Sequence, residues 1–307
     1  MSDWMNEGDI SFPNLGIYLK DVPRSFSVFG FTIMLYGVII GVGVVLAFLL
    51  ISKVAKRDGQ NPDDFYDMGI YTLIFGVLGA RIYYVIFAWE YYKDDLLSIF
   101  NIRQGGLAIY GGVIAGVATV FIWSKIKKKN VFEMLDTAFT GVLVGQIMGR
   151  WGNFTNREVF GGYTDSLFAM RIPVEAVRSR DITAALYDHI PAGANYIQVH
   201  PTFLYESVCN LILLGIILLY GKKKAFKGEC ALMYLGGYGI IRFVIEGIRV
   251  DQLLIPGTHI PVSQLLGICL FIGAVVTDIA VRLKMKKDMP AAETEAEENV
   301  KETEKAD

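Results

Sequence analysis

The sequence predicts an all-α polytopic membrane protein of seven transmembrane helices, amino terminus outside and carboxyl terminus inside, with a long outward loop between helices 4 and 5. Three observations carry this prediction. Apolar residues fill 53% of the 307 positions and the mean hydropathy is +0.42, yet 20% of positions are charged. The charges are segregated: seven apolar stretches, at 27–52, 66–89, 106–124, 131–149, 203–221, 229–248 and 262–281, hold only Asp67, Arg81, Glu133, Asp136, Glu206, Glu229, Arg242, Glu246 and Asp278. Each stretch is near the ~20 residues an α-helix needs to cross a ~30 Å hydrocarbon core, which excludes a water-soluble globule and a barrel of short alternating strands.

The third observation is where the basic residues lie. The connections after the first, third and fifth spans read KVAKRDGQNPDDF, KIKKKN and KKKAFKG, and the chain leaves the seventh as RLKMKK; these carry three, four, four and four Lys or Arg. The alternate connections are sparser, with two in 1–26, two in 90–105, five in the long loop 150–202 and one in 249–261. Short basic loops stay cytoplasmic, which sets the orientation. The chain divides into an outward segment 1–26, a membrane domain 27–284 and an acidic tail 285–307. Formal charge is −2 overall, but residues 288–307 hold eight acids against Lys301 and Lys305 and no aromatic residue, so the tail is expected to be disordered and cytoplasmic.

The amino-terminal segment carries Asp3, Glu7 and Asp9 where a signal peptide would be basic, and the first apolar run is too long for one, so no cleavage is expected. In that first span Tyr36 is the only strongly polar-tipped side chain, deep for an interfacial belt. Arg81 in the second span and Asp136 in the fourth are charges able to pair across helices. The third span opens RQGGLAIYGGVIAG, with Tyr110 between two glycine pairs that mark either packing or close approach to a ligand. Gly141, Gly145 and Gly149 recur every fourth residue along the fourth span, a spacing that lets helix backbones approach closely. Cys209, Cys230 and Cys269 all fall in spans, with no metal-binding spacing, and read as small core residues.

Polar groups gather in three places. The fourth span leaves the membrane as GRWGNFTNREVFG, Gly149 to Gly161. Such a composition ordinarily only turns, but Arg and Asn donors on flexible backbone at a membrane surface also suit an anion, and a guanidinium matches phosphate with two parallel hydrogen bonds. HPTFLYES, His200 to Ser207, opens the fifth span; Pro201 presets a helix start, and His200 and Glu206 near it read plainly as a satisfied histidine and a helix-start charge. The sixth span sets Tyr238, Arg242, Glu246 and Arg249 on one helical face. A structural ion pair would account for two of these, and an ionisable stripe inside a membrane points to function.

These residues carry a resemblance. The run Gly149, Arg150, Gly152, Asn153, Phe154, Asn156, Glu158 and Gly161 is similar at every fixed position to the G-R-x-G-N-F-x-N-x-E-x-x-G signature of the bacterial prolipoprotein diacylglyceryl transferase family. His200, Pro201, Leu204, Tyr205 and Glu206, and then Tyr238, Gly239, Arg242, Glu246 and Arg249, resemble two further family elements in order, and the likeness covers about 27–284. It implies a multi-pass enzyme of the bacterial cytoplasmic membrane that transfers the diacylglyceryl group of phosphatidylglycerol to the lipobox cysteine of a prolipoprotein signal peptide. The products are a thioether and glycerol phosphate, and no cofactor is needed. It also implies Arg150 and Arg242 on the phosphodiester, Asn153, Asn156, Glu158 and Gly161 shaping the headgroup site, Tyr36 and Tyr238 lining it, and Glu246 and Arg249 orienting the arginines.

Tyr110 departs from a histidine that some family members carry there. Either base catalysis falls to Tyr110, His200 or Glu246, or phosphate stabilisation dominates and no strong base is required. A secondary transporter and a headgroup-exchanging lipid transferase are the competing functions. No metal spacing, nucleotide loop or nucleic-acid patch stands out. Acyl-chain preference and oligomeric state are open at this level.

Overall fold

The computed structural model describes residues 4–102 and 105–303, with side chains as far as 288. In chain order the elements are β1 (Ile10–Phe12), β2 (Ile17–Leu19), β3 (Ser25–Val28), β4 (Phe31–Met34), α1 (Leu35–Arg57), α2 (Pro62–Phe87), α3 (Ile109–Ile126), α4 (Val131–Asn156), β5 (Met170–Pro173), α5 (Ala184–Tyr187), β6 (Tyr196–Val199), α6 (Thr202–Tyr220), α7 (Glu229–Glu246) and α8 (Val262–Thr303). Six helices among the described residues are long and apolar enough to cross a membrane: α1 to α4, α6 and the part of α8 up to Asp288. α7 coincides with the expected sixth span, but Glu229, Arg242 and Glu246 within its 18 residues keep it out of that group. The expected disorder of 285–307 falls on the end of α8: the backbone is helical to 303, and residues 304–307 lie outside the described residues.

The all-α expectation needs correcting, because the molecule also contains two small sheets. The chain forms two compact units, and the sheets belong to the first, made of 1–42, 145–225 and 229–307. Its four-stranded antiparallel sheet has the order β2-β1-β5-β6, with Ser11 opposite Arg171 and Met170 opposite Val199. The expected outward loop therefore supplies two strands and the amino-terminal segment two more. Ile10, Phe160, Ile172, Leu186, Ile197 and Val199 form their core. The second sheet is the β3–β4 hairpin, closed by Phe29 and Gly30, both at positive φ (49° and 82°), the twist that a two-residue hairpin turn needs. This hairpin takes up the start of the expected first span, so α1 begins only at Leu35.

α4 outruns its expected end at 149 by seven residues. The glycines that suggested a turn instead mark a helix contact: a Cβ on Gly152 would stand 2.6 Å from the Tyr36 ring, and one on Gly149 would touch Ile40 at 3.7 Å. Elsewhere in this unit, α7 and α8 cross where a Cβ on Gly239 would lie 2.5 Å from the Gly267 carbonyl oxygen. Arg282 answers two of the acids in the spans, pairing with Asp278 at 2.9 Å and with Glu229, which also accepts from Tyr220 at 2.6 Å. The expectation of core cysteines holds for Cys230 and is corrected for Cys269, which is exposed because its side of α8 is not packed against the rest of the unit; Cys209 is half-buried.

The second unit comprises 43–144 and 226–228. Asn61 caps α2 by accepting from the Asp63 amide, with Pro62 at the first helical position. α2 and α3 meet so closely that a Cβ on Gly111 would lie 2.4 Å from the Gly79 carbonyl oxygen, which answers the glycine pair at 111–112 as packing. Gly105 and Gly106, both at positive φ, bend the backbone around Arg81. Arg81 and Asp136 do not pair with each other. The Arg81 guanidinium donates to the carbonyls of Ser98, Ile99, Asn101, Gly105 and Gly106 at 2.7–3.3 Å, while Asp136 accepts from the Gly228 amide at 2.9 Å. A buried cation is here solvated by backbone dipoles, and one side chain gathers the described carbonyls of Ser98, Ile99, Asn101, Gly105 and Gly106.

Replacing Arg81 by lysine keeps the charge but cannot serve five carbonyls from three N–H groups. The variant is expected to lose about 2–4 kcal/mol of stability, read as a lower thermal midpoint in detergent, with earlier proteolysis between 98 and 106.

Candidate active site

The first unit assembles a chain of alternating charges at its helix ends. Glu206, in the first turns of α6, is 1% exposed and is the centre of it. Its Oε1 lies 3.0 Å from Arg150 Nη2 on α4, and its Oε2 lies 3.2 Å from Arg242 Nη1 on α7. The Tyr238 hydroxyl, one turn before Arg242, donates to Oε1 at 3.5 Å. Arg242 Nη2 also binds Glu246 Oε2, and the same oxygen sits 3.6 Å from Arg249. Arg249 closes this end by a two-pronged pair with Asp251, at 2.9 and 2.8 Å. The stripe expected on α7 thus exists, but its arginine leans on α6 as well as on its own helix.

On the other side, Arg150 Nη1 donates to Asn153 Oδ1 at 3.0 Å, and Asn153 Nδ2 donates to Glu158 Oε1 at 3.1 Å. Asn156 Nδ2 reaches the same Glu158 oxygen at 3.3 Å, and Arg178 binds Oε2 at 2.7 Å. Because α4 continues to Asn156, Arg150 and Asn153 lie on a helix rather than on a loop, one turn apart on one face. Tyr36, second residue of α1, lies against Gly152 on that same stretch.

The backbone just beyond α4 is strained. Arg157 and Val159 both have positive φ, 56° and 59°, which for a β-branched residue is a true outlier. The surroundings hold it in place. The buried Arg157 guanidinium donates to the carbonyls of Thr155, Gly8 and Val22 at 2.9, 2.5 and 2.6 Å, and the Thr202 hydroxyl donates to that of Val159. Gly161 then threads between two strands of backbone, its amide donating to the His200 carbonyl at 3.0 Å while Gly162 donates to that of Ile248. A Cβ on Gly161 would stand 2.8 Å from both the His200 Cβ and the Ile248 oxygen. Gly161 therefore acts through close approach, tying the starts of α6 and the Arg249 segment to the end of α4.

Of the sequence-predicted residues, Arg150, Asn153, Asn156, Glu158, Tyr238, Arg242, Glu246 and Arg249 are in this network, with Tyr36 and Gly161 packed at its edge. His200 stands outside it: its recorded side-chain partner is the Tyr205 hydroxyl at 3.3 Å, and burial pushes its pKa below the ordinary value. Arg249 is held more firmly charged than usual; burial opposes this, but the Asp251 hydrogen bond and charge outweigh it. Tyr110 is the second residue of α3 and belongs to the second unit. Three members were given no site role by the sequence reading. Glu206 had a signal, being the only charge in its apolar stretch, whereas Arg178 and Asp251 lie in polar connections where nothing marks them.

An arrangement of this kind suits an anion with two or more oxygens. A guanidinium has five N–H groups; Arg150 bonds Asn153, Glu206 and Tyr238, and Arg242 bonds Glu206 and Glu246, so each has N–H groups to spare. Their remaining donors are pre-oriented by buried carboxylates.

The sequence profile of the prolipoprotein diacylglyceryl transferase family matches residues 23–280. Among curated proteins, the phosphatidylglycerol–prolipoprotein diacylglyceryl transferase of Finegoldia magna is 38% identical over 264 residues, 86% of this chain and 97% of that protein. The protein of that name from Halalkalibacterium halodurans is 38% identical over 261 residues, 84% of this chain and 86% of its own. The one from Clostridioides difficile is 36% identical over 266 residues, 86% and 97%.

Two outcomes are expected. Glu206→Ala strands two guanidiniums against each other in a buried site and should cost about 3–5 kcal/mol, measured by thermal or denaturant unfolding in detergent. His200 has a folded pKa below 6.5, so on acidification the unfolded chain takes up its proton first. Its contribution is present above pH 6.5 and lost as pH falls through the folded pKa. A His200→Gln variant should show a shallower loss of stability between neutral and mildly acid pH than the parent.

Proposed function

This chain belongs to the prolipoprotein diacylglyceryl transferase family, and we propose that the network centred on Glu206 is where it transfers the diacylglyceryl group of phosphatidylglycerol to a prolipoprotein. It is a transferase of lipoprotein maturation and a multi-pass membrane protein. The acceptor is the thiol of the lipobox cysteine in the signal peptide. Its sulfur attacks the glycerol carbon bearing the phosphate, a C–S bond forms and the C–O bond to phosphate breaks. The thiol proton ends on the departing glycerol phosphate or on water.

The observation that carries this reading is the pair of arginines sharing one buried carboxylate. A phosphodiester holds one negative charge, and as its C–O bond breaks the leaving phosphate gains a second. Donors aimed where that charge develops lower the barrier. Arg150 and Arg242 hold the phosphate, Asn153, Asn156 and Glu158 shape the space for the headgroup glycerol, Tyr36 and Tyr238 line it, and Arg249 and Glu246 keep Arg242 in place. Glu246 is tied to two arginines. His200 is bonded to Tyr205. An ordinary thiol is a few per cent ionised at neutral pH, and the arginines favour its thiolate, so phosphate stabilisation outweighs base catalysis and Tyr110 is dispensable as a base.

α7 brings the number of spans to seven, as the sixth in chain order, with Arg242 paired to Glu206 on α6 and Glu229 to Arg282 on α8 rather than facing lipid. The basic connections put 53–61, 125–130 and 221–228 on the cytoplasmic side of a bacterial cytoplasmic membrane, and the sheet with the amino terminus outside. The transferase part is 27–284, with the acidic segment 285–307 beyond it.

The test is incubation of the purified protein with phosphatidylglycerol and a lipobox peptide. Mass spectrometry should find the peptide heavier by one diacylglyceryl group, on sulfur. Arg150→Ala and Arg242→Ala should each lower the rate at least 100-fold, in line with losing a main oxyanion donor, while Tyr110→Phe stays within about threefold of the parent. A fully active Arg150→Ala removes the phosphate assignment, and an inactive Tyr110→Phe removes the dispensable base.

A further inference from the structure

The second unit contains a cavity of ≈ 330 Å³ where α3 ends and α4 begins, lined by Phe121, Ile122, Ser124, Lys125, Lys129 and Val131. None of these residues belongs to the arginine network. We propose that this cavity binds the phosphate headgroup of an anionic phospholipid, with the lipid's acyl chains running along Phe121 and Ile122.

Four features of the cavity fit that ligand. Phe121 and Ile122 are 46% and 59% exposed on a helix apolar enough to span a membrane, so acyl chains are the medium they meet. At the other end, the connection KIKKKN brings four lysines together, and two of them line the cavity. Lys129 is held over the cavity by Asp64 at 2.6 Å, and Lys127 is set aside over the Trp123 ring, 6.0 Å from its centroid. Between the apolar and basic ends sits Ser124, 1% exposed, whose Oγ has no partner among the described residues. Buried donors without acceptors are costly, and a phosphate brings several acceptor oxygens. The size decides how much of the ligand enters: ≈ 330 Å³ is at the low end for a small-molecule site, enough for a phosphate and the glycerol next to it but not for acyl chains, which stay in the bilayer.

Basic pockets between helices at a cytoplasmic surface suit anionic headgroups, which are concentrated in that leaflet. Only the leaflet, not the site, rests on the orientation proposed above. The lipid held here is not consumed; it fastens the α3–α4 connection to the headgroup layer.

The probe is phosphatidylserine, an anionic lipid that is not the substrate, with phosphatidylcholine as the uncharged comparison. Protein in neutral detergent should retain one phosphatidylserine per chain by native mass spectrometry and no phosphatidylcholine. A photoactivatable phosphatidylserine should label the peptide spanning 121–131. Lys125→Gln with Lys129→Gln should weaken retention by about a factor of five for each lysine removed, and Ser124→Ala should weaken it further, with transferase activity unchanged. Equal retention of phosphatidylcholine, labelling spread outside 121–131, or full displacement by inorganic phosphate would each overturn the proposal. So would unchanged retention by the double-lysine variant, whose exposed substitutions leave the fold intact; its melting temperature in phosphatidylcholine checks this. Micelles have no sides, so an error in orientation leaves these readouts unaffected, and transferase activity reports separately on the arginine network.

Discussion

The buried carboxylate of Glu206 is the interaction on which the rest of the first unit depends. A carboxylate at 1% exposure in a helix apolar enough to span a membrane is tolerable only if both oxygens are answered, and here each oxygen faces a different guanidinium. The arginines come from α4 and α7, so three helices are fixed at one height by one side chain. Each arginine in turn needs its own second partner, Asn153 for Arg150 and Glu246 for Arg242, and the demand is passed outward until it ends at Arg178 and Asp251 near water. The network is long because its centre is dry.

Such a chain of bonds tolerates little backbone error, and glycine with strained turns supplies the accuracy. Tyr36 can lie on α4 only because Gly152 has no side chain, and the His200 and Ile248 segments can flank Gly161 only for the same reason. The left-handed residues Arg157 and Val159 turn the chain off α4 abruptly enough to bring Glu158 back beneath Asn153 and Asn156. Arg157 holds that turn from the amino-terminal side, through the carbonyls of Gly8 and Val22. The sheet, which carries none of the network's residues except Arg178 on the connection after β5, is thus the frame against which the turn is braced.

How much of this is readable from the chain depends on how local each signal is. The helices are legible because ~20 apolar residues are themselves the signal, and even α7, which its charges disqualify on hydropathy, shows itself by the spacing of Tyr238, Arg242, Glu246 and Arg249. The sheets are not legible. Their strands are three or four residues long, too short to display alternation, and β1 pairs with β5 some 160 positions away in sequence. The end of α4 is misplaced for a related reason: Gly149 and Gly152 say that something comes close, but not whether it is a turn or a tyrosine. Arg242 stands out because guanidinium in an apolar stretch has few uses, and Arg150 because it opens a run of Gly, Asn and Arg directly after one. Glu206 passes for a helix-start charge because a carboxylate beginning a helix has an ordinary explanation, and only the geometry shows that it faces inward between the two arginines.

That geometry also bears on the anion site proposed for this network. Four guanidiniums, of Arg150, Arg178, Arg242 and Arg249, are matched by the four carboxylates of Glu158, Glu206, Glu246 and Asp251. With no excess positive charge, the resting site has little long-range field to draw phospholipid toward it, and for a lipid already confined to the membrane none is needed. What the carboxylates provide is orientation. They hold the arginines in fixed directions, so that under the proposed reaction no reorganisation is required when charge moves onto the leaving phosphate. An uncompensated cluster would bind phosphate more tightly at rest, and would lower the energy of substrate and transition state alike. A neutral network with unspent N–H donors instead favours the state with the extra negative charge. Selectivity of that kind comes from where donors point rather than from how many there are, which is why the fixed positions of the motif include glycines and asparagines as well as arginine.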